Sequence, residues 1–177
     1  MSFQKIIAVD AEITARMRVA EKPGILRTIS SFLAHSGDSW YWFAGLPVLW
    51  LMGNEFWKDW SVLMFASIFL TASLVMALKF TIRRRRPEGE WGQIYRKTDP
   101  HSFPSGHAAR GMLIALVALG FSPGLVGTIL LVWGPLVGIG RIAMGVHYVS
   151  DVVAGWMVGA LMAALCLNYL PALILQL

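Results

Sequence analysis

"WSVLMFASIFLTASLVMALKF", from Trp60 to Phe80, is the stretch on which the fold turns. It runs about 21 residues with no charge before Lys79, and a helix crossing hydrocarbon needs about 17–25 apolar residues. Similar blocks lie on both sides of it. "WYWFAGLPVLWLMGNEFW", Trp40 to Trp57, precedes it; "AARGMLIALVALGF" (Ala108 to Phe121), "LVGTILLVWGPLVGIG" (Leu125 to Gly140) and "VVAGWMVGALMAALCLNYL" (Val152 to Leu170) follow. These are five spans, two of them short, so that their ends are expected near the headgroup level. Trp40, Tyr41, Trp57, Trp60, Tyr148 and Tyr169 fit an aromatic belt at the interfaces.

The whole chain agrees with this pattern. Of its 177 residues 56% are hydrophobic and 14% charged, where soluble domains carry about 25% charge; mean hydropathy is +0.61. An ordinary soluble domain is excluded. The expected fold class is all-α: an integral membrane helical bundle of about five transmembrane helices with N-terminal amphipathic interfacial helices. One domain, 1–177, divides into an amphipathic segment, 1–36, and a transmembrane core, 37–177. Met1 to His35 lacks the apolar core of a secretory signal. Ile6, Val9, Ile13 and Met17 share one helical face and Ile25, Ile29, Phe32 and Leu33 another, with Lys22 to Gly24 as the break. Such helices either lie on the membrane surface or pack on the domain. Cys166 is an inert packing residue. Gly155 with Gly159, and Gly134 with Gly138, have the small-xxx-small spacing of packed membrane helices.

Threading five spans brings the N-terminus, the long polar loop Thr81 to His107 and the turn Arg141 to Ser150 to one side. Lys79 lies a turn before the basic run Arg83 to Arg86, inside the membrane boundary, where an ammonium needs an anionic partner. Ser105 and Gly106 of "PSGH" open a helix whose free N–H groups and dipole favour an anion. His147 and Asp151 stand four apart, as neighbours on one helix face, so a carboxylate can fix one imidazole nitrogen and free the other to attack. Together these residues suit phosphoryl transfer.

The chain here resembles the type 2 phosphatidic acid phosphatases, membrane relatives of the vanadium haloperoxidases. Lys79, six residues, Arg86 and Pro87 match the family's first motif (79–87). Pro104 to His107 match the second (104–107). Arg141, five residues, His147, three residues and Asp151 match the third (141–151). The resemblance implies that Lys79, Arg86, Arg141, Ser105 and Gly106 hold a phosphate, the last two through their backbone with the Ser105 hydroxyl. It implies that His147 attacks and forms a phosphohistidine, that Asp151 orients it, and that His107 protonates the leaving alkoxide. Arg83, Arg84 and Arg85 are expected to serve anionic headgroups. No metal, cofactor or nucleic-acid partner is expected. The expected substrate is a membrane phospholipid or isoprenoid phosphate, such as phosphatidate, phosphatidylglycerophosphate, a polyprenyl (di)phosphate or a lipid A phosphate. The alternative is a phospholipid-binding or transport protein, an inactive relative; His107, His147 and Asp151 favour catalysis.

Gly140 departs from the family's usual Ser, and five spans stand where many members have six. The expected location is the plasma membrane, with the site at the membrane–water interface. Only Lys58 of the 15 Lys and Arg residues lies opposite the motifs, leaving 14 with them. The positive-inside rule then points to the cytoplasmic face; the resemblance implies the opposite one. Lys5, Arg16, Arg18, Lys22 and Arg27, remote from the motifs in sequence, tip the reading towards the cytoplasm.

Overall fold

A computed structural model describes residues 3–91, 95, 99–121 and 124–174. The helices among them are α1 (Phe3–Met17), α2 (Ile25–Ser36), α3 (Ser39–Met52), α4 (Glu55–Ile82), α5 (Gly106–Phe121), α6 (Leu125–Ala143) and α7 (Val149–Ile174). Three are long and apolar enough to cross a bilayer: α4, α6 and α7, with mean hydropathies of 2.2, 1.8 and 1.8.

The first expected span is corrected at its end. Asn54 accepts the Trp57 N–H through its side chain at 3.2 Å and so caps α4, with Glu55 in the favourable first turn. Phe56 and Trp57 therefore begin α4 instead of ending α3. What α3 loses, α2 supplies. The α2 backbone at Ser30 and Ala34 lies over Gly140, Gly37 lies against Val137, and Ser36 Oγ accepts from Trp133 Nε1 at 2.8 Å. Thus α2 runs antiparallel down α6 and α3 continues beyond the break at Gly37–Asp38. Two short helices lie end to end along this side of the bundle, and the broken backbone between them faces protein.

The 16-residue α5 needs no lipid-facing surface, because α4, α6 and α7 surround it. Its Ala108, Ala109, Leu113, Ile114 and Val117 are all at 0% exposure. Close approach requires glycine on α7: a Cβ on Gly155 would stand 2.5 Å from the Ser105 carbonyl, and one on Gly159 would collide with the Ala109 carbonyl.

The N-terminal helix α1 is built inside out. Asp10 and Thr14 are buried, while Ile6, Val9, Ile13 and Met17 point outward, as do Ile25, Ile29 and Phe32 of α2. A polar face of α1 packs on the bundle, as one of the two expectations had it, and the apolar faces of α1 and α2 are left exposed. Trp40, Tyr41 and Tyr169 are exposed as a belt requires, but Trp60 is buried in the core and Tyr148 lies under the Arg84 guanidinium at 4.0 Å. The C-terminal ends of α4 and α6 and the N-terminal ends of α5 and α7 meet at one end of the bundle.

Candidate active site

His147 sits in the turn between α6 and α7, fully buried, just after Gly145, whose φ of 68° suits glycine. The expected helix-face pairing with Asp151 is corrected: α7 begins at Val149, so the two residues straddle its start. Asp151 reaches back from the first turn and accepts the Tyr148 N–H at 2.9 Å, as the acidic member of a capping box does. Its Oδ2 lies 3.5 Å from His147 Nδ1, which makes no hydrogen bond among the described residues. The other ring nitrogen, Nε2, lies 3.1 Å from Arg86 Nη1.

Asp151 is itself held by a residue assigned above to headgroups. Arg84 donates to Asp151 Oδ1, Ser150 Oγ and Asp10 Oδ2, each at 2.7 Å. Asp10 also accepts the Ser150 N–H at 3.0 Å, and Thr14 Oγ1 accepts the Val149 N–H at 3.1 Å. The polar face of α1 thus fixes the first turn of α7. Neither Arg84 nor Asp10 is marked by motif spacing, and Gln4, Lys5, Glu12 and Arg16 on the same helix leave Asp10 undistinguished in the sequence.

Lys79, Arg86 and Arg141 are all buried. Lys79 has the anionic partner its depth demands, Asp99, and also donates to the His101 carbonyl at 3.1 Å. Asp99 binds Arg86 as well: Nη2 reaches its carboxylate at 2.8 Å and Nε its carbonyl at 2.7 Å. Arg141 donates to Tyr95 Oη at 3.0 Å and lies 4.4 Å over that ring, while its buried Nε has no partner among the described residues. Burial raises the Asp99 carboxyl, but the Lys79 and Arg86 charges outweigh it and hold it below its ordinary value. Burial, then the Arg86, Arg141 and Lys79 charges, push His147 well below the usual imidazole value. The neutral ring is thus favoured, with its Nε2 lone pair facing the Arg86 N–H.

Ser105 caps α5, accepting the Ala108 N–H at 3.4 Å, and its own N–H donates to the Asp151 carbonyl at 2.9 Å. The expected anion contact from the Ser105 backbone is therefore corrected, and Gly106 and His107 carry the next N–H groups of the helix start. His107 Nε2 meets Asp38 Oδ1 at 2.5 Å. Asp38 stands at the N-cap of α3 without capping it, so its carboxylate is free for this bond. Lys79, Asp99, Gly106, His107 and Asp38 line one cavity of about 430 Å³. Gly140 faces α2, not this cavity: a Cβ there would stand 3.0 Å from the Ser30 carbonyl, so the family's Ser has no room.

A bundle end that gathers three cations, a buried imidazole and a helix start defines a phosphoryl-transfer site in a membrane protein. The family profile of the PAP2 superfamily matches residues 60–174, and the chain belongs to that superfamily. It is an integral membrane lipid phosphatase, a phosphoric ester hydrolase. It is 31% identical over 157 residues to a decaprenylphosphoryl-5-phosphoribose phosphatase of Mycobacterium tuberculosis, covering 86% of this chain and 85% of that one. To the enzyme of the same description from Mycolicibacterium smegmatis it is 32% identical over 147 residues, covering 81% and 78%. Among solved structures, the PAP2-type phosphatidylglycerolphosphate phosphatase of Bacillus subtilis aligns with a TM-score of 0.75 at 25% identity, over 95% of this chain and 87% of that one. Aquifex aeolicus LpxE aligns with a TM-score of 0.69 at 28% identity, over 89% and 94%.

Proposed function

We propose that this enzyme removes a terminal phosphate from a lipid at the surface of the plasma membrane through a phosphohistidine on His147. The observation that carries it is the placement of His147 Nε2 3.1 Å from Arg86 Nη1, with Nδ1 turned towards Asp151. Lys79, Arg86 and Arg141 hold the phosphoryl oxygens and offset the charge that builds on them. Nε2 attacks phosphorus as the bond to the lipid oxygen breaks. His107, positioned by Asp38, gives its proton to the departing alkoxide. Water then attacks the phosphohistidine; His107 takes one of its protons, the N–P bond breaks, and inorganic phosphate leaves. The cations supply the positive charge themselves, so EDTA leaves the rate unchanged and vanadate, a phosphate mimic, inhibits.

The substrate is drawn from lipids of the kind named for the relatives: prenylphosphoryl sugar phosphates and phosphatidylglycerophosphate, with phosphatidate and polyprenyl phosphates beside them. Phosphate release by the purified protein from a panel of these lipids is the test. At least one should be turned over, and His147→Ala should abolish turnover; activity retained by that variant would refute the mechanism.

A further inference from the structure

Arg110 belongs to none of the three motifs. It stands in α5 three residues beyond His107 and is 8% exposed. Its Nε donates to the Gly37 carbonyl at 2.6 Å and its Nη1 to Ser39 Oγ at 2.5 Å, both at the break between α2 and α3. Nη2 makes no hydrogen bond among the described residues, and no described carboxylate lies within ion-pair reach; neighbouring Asp38 is committed to His107. Asp38 faces both His107 and the Arg110 charge, so this guanidinium is only partly offset, and at membrane depth that is costly. Arg110 lines the same cavity as Lys79 and His107, beside apolar walls from Trp40, Ile68, Val75 and Met76. The phosphate cradle lies at the helix start, and Arg110 follows His107 by one turn on the same face of α5, about 5–6 Å on between Cβ atoms, with the apolar wall beside it.

We infer that Arg110 is a second anion subsite, which takes the phosphodiester of a doubly phosphorylated lipid. This rests on the phosphatase reading above and narrows it. The favoured substrate carries a terminal phosphomonoester, a short polyol spacer and a phosphodiester joined to the tail. With the monoester in the cradle, a three-carbon spacer covers about one helical turn, 5.4 Å, and sets the diester oxygens at the fixed fork of Arg110. The tail then continues along the apolar wall. A lipid whose monoester is attached directly to the diacylglycerol leaves Arg110 unpartnered.

The experiment compares phosphate release from phosphatidylglycerophosphate and phosphatidate of identical acyl chains in one detergent. Wild-type kcat/KM should be higher for the former. Arg110→Gln should lower it about tenfold or more for that lipid, the loss of one charge-assisted hydrogen bond, and by less than about threefold for phosphatidate. Arg110→Lys, which keeps the charge, should fall between. A measurement independent of any variant is inhibition of wild-type phosphatidate hydrolysis, which phosphatidylglycerol should achieve at lower concentration than diacylglycerol. Equal losses on both substrates, or equal inhibition by the two neutralised products, would overturn the subsite. Absence of release from phosphatidylglycerophosphate would also overturn it, and only absence of release from every lipid of the panel would sink the phosphatase reading itself.

Discussion

Arg84 and Asp151 show how one buried side chain can hold another in place beside His147. Asp151 faces His147 through one oxygen, and its other oxygen rests on Arg84, whose second branch rests on Asp10. Removing the Arg84 fork leaves a buried carboxylate free to turn away from the ring. Arg84→Gln should lower kcat about tenfold to hundredfold with KM little changed, the size of one charge-assisted hydrogen bond of about 1.5–3 kcal/mol lost at the transition state. Loss of KM alone would mean that Arg84 binds headgroups after all. Protonation of His147 is a second test. Its value lies below that of a free imidazole, so the ring stays neutral as pH falls through the usual range near 6.5 and charges only at lower pH. Nitrogen NMR of histidine-labelled protein should show the ring still neutral where a free imidazole is half protonated; a normal titration midpoint would contradict the burial of the ring and the packing of the three cations around it.

At the scale of elements, α1, α2 and the α5–α7 contact carry different lessons. The glycine spacing on α7 was readable in the sequence, because backbone approach between helices leaves no alternative residue. Gly159→Leu should separate α7 from α5 and lower the Tm together with activity, whereas Gly45→Ala, with open space around it, should change neither. The burial of Asp10 and Thr14 was not readable. The apolar stripe of α1 marks a face that leaves the protein, and periodicity alone does not say whether such a stripe seeks the core or the bilayer. The role of the break between α2 and α3 was equally hidden, since Gly37–Asp38 resembles an ordinary loop until Asp38 is found on His107 and Gly37 on Arg110.

For the molecule as a whole, sidedness is the open quantity that a single label settles. Three of the remote cations have partners: Arg16 binds Glu12, Arg18 binds Glu21 and the Glu88 carbonyl, and Arg27 binds Glu90 and the Glu21 carbonyl. Lys5 and Lys22 remain on the motif side, and by the charge rule that side is cytoplasmic. With Cys166→Ala, a Cys at exposed Glu88 should react with an impermeant thiol reagent only after cells are opened; labelling of intact cells would place the site outside. The sequence by itself determined the class of fold, through apolar runs of bilayer length, and the residues of the three motifs, because short-range spacing is a property of the chain. Only the tertiary structure decided what holds those residues. Arg84 meets Asp151 and Asp10 across 67 and 74 positions, and His107 meets Asp38 across 69. Such partners have no period or spacing to mark them; they exist because helix packing brings buried charges together and each must be matched where water is absent.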